Sequence, residues 1–70
     1  MSKEYTAVLK LEGDWWIGWV EEVLGVNCQE RTKEALLASL RDVLEEAIEL
    51  NREAARAVAG DSFLEETLVL

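Results

Sequence analysis

Histidine is absent from these 70 residues, and Cys28 is the only cysteine. An intramolecular disulfide is therefore excluded. A protein-only zinc site would have to be built from carboxylates and one thiolate, an unusual donor set for that ion. A thiol without a histidine beside it lacks its usual activating base, so Cys28 is read as a small core residue. No metal and no cofactor is expected. Long apolar runs are missing as well. No segment approaches the roughly 20 residues of a membrane span, and the start, MSKEYTAVLK, lacks the apolar stretch of an export signal. With one free thiol and no such signal, a cytoplasmic location is expected, without membrane contact.

Positive charge is scarce. Seven Lys and Arg stand against fifteen Asp and Glu, a net charge of −8. Such a surface repels phosphate backbones, so direct nucleic-acid binding is not expected. A basic partner would be attracted to it, although negative charge also serves solubility alone. The length fits one domain, residues 1–70. A chain this short buries only about 60% of its unfolded surface. Self-association as a dimer or higher, or a protein partner, is the expected supplement.

What the chain does have is patterning. Residues 5–12, YTAVLKLE, alternate as a strand, with Tyr5, Ala7, Leu9 and Leu11 on one face and Thr6, Val8, Lys10 and Glu12 on the other. Gly13-Asp14 is a tight-turn dipeptide. Residues 15–21, WWIGWVE, predict a second strand with Trp15, Ile17 and Trp19 on one face and Trp16, Gly18 and Val20 on the other. Both faces are apolar, which a strand needs only when both are covered. Gly18 leaves room for a close neighbour. Residues 26–30 predict a third strand, with Val26 and Cys28 facing one way.

Thr32 is a suitable N-cap, and an amphipathic helix is predicted from 33 to about 58. Its apolar arc runs from Leu36, Leu37 and Leu40 through Val43, Leu44, Ala47 and Ile48 to Leu50, Ala54, Ala55 and Val58. Asn51 is the polar residue inside that arc. Pairs such as Glu49 with Arg52 and Glu53 with Arg56 are expected on the outer face, and Gly60 is the expected stop. The last segment, FLEETLVL, has strand propensity. The expected fold class is thus α+β, in the order β-β-β-α-β. It is a mixed four-stranded sheet of order 3-2-1-4, with one long amphipathic helix on one face and the last strand parallel to the first.

The stretch DWWIGWVEEVLG, the Gly25-to-Thr32 spacing and the helix opening TKEALLASLRDVLEEAIEL resemble the N-terminal domain of the HicB family of type II antitoxins. The resemblance covers about residues 5–50. It departs from the family pattern at the corner, where Glu21 and Leu24 replace two prolines, and before the helix, where Glu30 and Arg31 replace a glycine. The chain also has no basic region or second helix pair of the kind that forms the operator-binding module of many members. A stand-alone domain without a C-terminal DNA-binding module is therefore expected. The resemblance implies a partial RNase H-like fold without that enzyme's activity. It further implies a function: binding a small basic HicA-like toxin, which cleaves mRNA with a catalytic histidine, and covering its RNA surface. The alternative is a structural homo-oligomerisation domain with no toxin partner.

No catalytic residues are expected. Nuclease chemistry of the RNase H type needs carboxylates converging on two divalent ions, and Glu12 and Asp14, at a strand end and turn, have no convincing mates. The candidate interface consists of Trp15, Ile17, Trp19, Glu21 and Glu22. Three tryptophans exceed what one helix-covered face requires; Trp16 is assigned to the core. Trp15 and Trp19 are assigned to a binding surface, because tryptophan is enriched at binding hot spots.

Overall fold

A computed structural model describes residues 4–70; the first three residues of the start read for an export signal lie outside the described residues. The element order is β1 (Ala7–Glu12), β2 (Trp15–Val20), β3 (Asn27–Glu30) and α1 (Lys33–Ala59). The three strands form one antiparallel sheet in the order β1-β2-β3. Gly13 and Asp14 close the first hairpin. Gly13 has φ 61° while Asp14 has no positive φ, the pattern of a type II′ turn that suits the twist of paired strands. Gly25, at φ 86°, turns the corner between β2 and β3.

The strand register decides which side chains meet the helix. Leu9 lies opposite Gly18, and Gly18 opposite Cys28. Directly paired residues share a face, so Leu9, Trp16, Gly18, Val20 and Cys28 look towards α1. The core is Val20, Val26, Leu36 and Leu40, with Leu9, Trp16, Val23 and Val43 packed against it. Gly18 is required there. A Cβ at this position would lie 3.0 Å from side-chain methyls of Leu9, Leu36 and Leu40 at once. The missing side chain lets the helix approach the middle of the sheet.

The helix begins and ends as the chain dictates. The Thr32 hydroxyl accepts from the Ala35 N–H at 3.1 Å, satisfying one orphan donor of the first turn. The Gly60 N–H donates to the Arg56 carbonyl at 3.2 Å, with Gly60 at φ 87°. The Ser39 hydroxyl donates to Glu30 at 2.7 Å and ties the end of β3 to the helix.

One expectation is overturned. The sheet has three strands, not four in the order 3-2-1-4, and residues 61–70 form no strand. The cause lies in relative lengths. The 27-residue helix runs about 40 Å, whereas six-residue strands span about 20 Å. The helix overshoots the sheet, giving an elongated molecule of 50 × 23 × 15 Å. About half of the C-terminal segment would be spent returning over the overshoot before it reached β1. It turns back along the last helical turns instead, where Arg56 pairs with Glu65 at 3.8 Å. Among the described residues nothing pairs with the outer edge of β1. The overshoot also explains why only the first half of the predicted apolar arc finds cover. Leu36 and Leu40 are buried, whereas Leu50 and Val58 are exposed. Arg56 pairs with Glu49 and Glu65 rather than with Glu53.

Candidate functional site

The sheet face turned away from α1 carries Val8, Lys10, Glu12, Trp15, Ile17, Trp19, Asn27 and Gln29 by the same register. Alternation along β2 places Trp15, Ile17 and Trp19 side by side, two residues apart. Trp15 and Trp19 are 36% and 41% exposed, and Ile17 between them is half-buried. Val8 lies opposite Trp19 and Ile17 opposite Lys10. No element covers this face among the described residues. Trp16 points the other way and packs against the core. The three tryptophans of β2 thus divide, one towards the helix and two towards solvent.

Arg31 completes the face. Its guanidinium carbon lies 3.8 Å from the centroid of the Trp15 ring, a close cation–π contact. Sequence reasoning missed it. The signal was present in the β2–β3 register, because pairing Trp16 with Glu30 carries Arg31 alongside Trp15 one step further on. Lys10 and Glu12 pair at 3.8 Å on the same face, both well exposed. Glu12 is therefore matched by a cation, and Asp14 sits in the exposed turn. Among the described residues no group of three or more His, Cys, Asp or Glu side chains is placed to hold a metal ion.

Glu21 and Glu22 lie at the corner after β2, but their geometry differs. Glu21 is exposed, and its N–H donates to the Thr6 carbonyl at 3.0 Å. The Glu22 carboxylate accepts from the Thr6 N–H at 2.8 Å. That bond from Thr6 holds the Glu22 carboxyl below its ordinary 4.5. Its contribution to stability is present above the ordinary value and is lost as pH falls through the lowered folded value. The Thr6 amide resonance should therefore titrate with a midpoint below 4.5, and Glu22→Gln should abolish that titration. A Thr6 amide indifferent to acid would contradict the assignment. Leu24, at the tip of the corner, is fully exposed, which its apolar character did not announce.

No family model, no curated protein and no solved structure matches this chain.

Cys28 is half-buried on the helix side of β3. Burial, and secondarily the Glu30 carboxylate, push its thiol above the ordinary value. At neutral pH it is a protonated packing group rather than a nucleophile. The candidate face is thus an apolar centre of Trp15, Ile17 and Trp19, flanked by Arg31 and the Lys10–Glu12 pair, with carboxylates at its margins. Such a layout suits recognition of a protein surface, with a centre poor in charge and a polar rim.

Proposed function

We propose that this chain is an antitoxin-like protein-binding module that neutralises a small basic HicA-like mRNA-cleaving toxin. The observation that carries the reading is the uncovered sheet face, where Trp15, Ile17 and Trp19 stand in a row with no element over them. Exposed apolar side chains grouped on one face and rimmed by polar residues are a feature of interaction surfaces. The net charge of −8 adds a physical reason for the class of partner. A basic RNase surface is drawn to an acidic module, and covering that surface denies it to RNA. In this reading the chain performs no catalysis, binds no nucleic acid directly and acts in the cytoplasm, where the mRNA substrate is.

The roles divide by position. Trp15 and Trp19 supply desolvated contact at the centre, and Arg31 fixes the Trp15 ring. Glu21, at the corner, and Asp42, Glu46 and Glu49, exposed along the middle of α1, supply the long-range field. Such charges act on the association rate. Their influence shrinks as the Debye length falls from about 10 Å at 0.1 M salt to about 3 Å at 1 M.

The test is an RNA-cleavage assay with a purified HicA-like RNase titrated by this chain. Cleavage should stop near an equimolar ratio, and association should slow as salt rises. Cleavage that continues undiminished in a large molar excess of the chain would overturn the proposal and leave the structural homo-oligomerisation reading.

A further inference from the structure

A second apolar surface lies on the other side of the molecule. Between the outer edge of β1 and the middle of α1 runs an open groove of about 450 Å³. Tyr5 lines its sheet side, and Leu37, Leu44 and Ile48 line its helix side together with Arg41 and Glu45. Leu37 is 38% exposed. Leu37, Arg41, Leu44 and Ile48 are spaced four, three and four residues apart, the seam spacing of helices that pack on one another. Arg41 and Glu45 are exposed and form no ion pair among the described residues.

We infer that this groove is the seat of a second copy of the chain, joined through antiparallel α1 helices about a two-fold axis. Charge complementarity selects that occupant and orientation. With the axis near residues 42 and 43, Leu37 of one copy meets Ile48 of the other. Arg41 then falls opposite the other copy's Leu44, one residue from its Glu45. Symmetry repeats the contact, so each copy's unpaired Arg41 gains the other's unpaired Glu45, as a self-complementary interface requires. A parallel arrangement would set Arg41 against Arg41. The dimer leaves Trp15, Ile17 and Trp19 free, because they lie on the opposite sheet face. The inference does not rest on the antitoxin reading and stands or falls separately from it.

Sedimentation of the full chain at micromolar concentration tests it. The wild type should be a dimer. Arg41→Glu and Glu45→Arg, both at exposed positions, should each weaken it by on the order of tenfold, since two pairs are lost and like charges face each other. The double variant should recover the dimer, and mixing the two single variants should give a heterodimer. Trp15→Ala should leave the association unchanged. The inference is overturned by a monomeric wild type, by charge reversals without effect, or by a double variant that stays weak. Loss of the dimer on Trp15→Ala would move the interface to the sheet face. Loss on truncation after Gly60 would give the groove to the apolar C-terminal segment instead.

Discussion

Leu36→Ala should cost this protein about 3.5 kcal/mol, the middle of the range for emptying a fully buried leucine site. Leu36 is 0% exposed and touches the space left open by Gly18. Its removal strips the contact that holds α1 to the centre of the sheet. Two things make the loss severe here. Among the described residues the core holds four buried hydrophobic side chains, and those packed around it are only partly buried, so little else can take over. A domain of 70 residues has a total stability of about 4–10 kcal/mol, so one substitution removes a large fraction of it. Urea unfolding followed by far-ultraviolet circular dichroism should show a midpoint far below wild type. Leu24→Ala is the matched control, because Leu24 is fully exposed and its truncation should change stability by less than about 0.5 kcal/mol. A Leu36→Ala variant that melts with the wild type would mean that α1 is held elsewhere.

Trp15→Ala and Trp19→Ala should each weaken binding to a HicA-like RNase by at least about 30-fold, corresponding to the 2 kcal/mol or more of a hot-spot tryptophan. Glu21→Lys should act differently. It should lower the association rate at low salt and have little effect at high salt, because an exposed rim charge steers rather than holds. For Trp15 part of the loss runs through Arg31, whose stacking is worth about 0.5–1 kcal/mol at an exposed site. Trp15→Phe should therefore recover part of the affinity. Because both tryptophans are also partly packed against their own sheet, each variant must be shown folded before its affinity is compared. Folded variants that bind at wild-type strength would reduce the aromatic row to packing.

The parts of this fold written locally were legible in the sequence. The Gly13-Asp14 turn, the alternation that separates Trp16 from Trp15 and Trp19, the Thr32 cap and the Gly60 stop each depend on a few adjacent residues. The structure places them as that chemistry requires. What failed depended on lengths compared across the chain. Thr67, Leu68, Val69 and Leu70 have the composition of a strand, yet propensity says nothing about whether they can reach a partner. The helix that precedes them outruns the sheet, and the segment lies exposed. The same cause uncovers Leu50 and Val58, which periodicity alone had assigned to an apolar face. The candidate face was legible as a row of side chains but not as a site. Arg31 joins it only through cross-strand register. Glu22 is drawn into a hydrogen bond with Thr6, sixteen residues away in sequence, a pairing that no local pattern encodes.

In the proposed role the open sheet face, and not the helix side, would meet a HicA-like RNase. The three tryptophans offer one direct readout, since each contributes a single indole N–H signal to a proton–nitrogen correlation spectrum. On titration with an unlabelled HicA-like RNase, the account predicts large shifts for Trp15 and Trp19, which are exposed, and little change for Trp16, which packs against the core beneath α1. Shifts confined to Trp16, or no shift in any of the three while the complex forms, would contradict it.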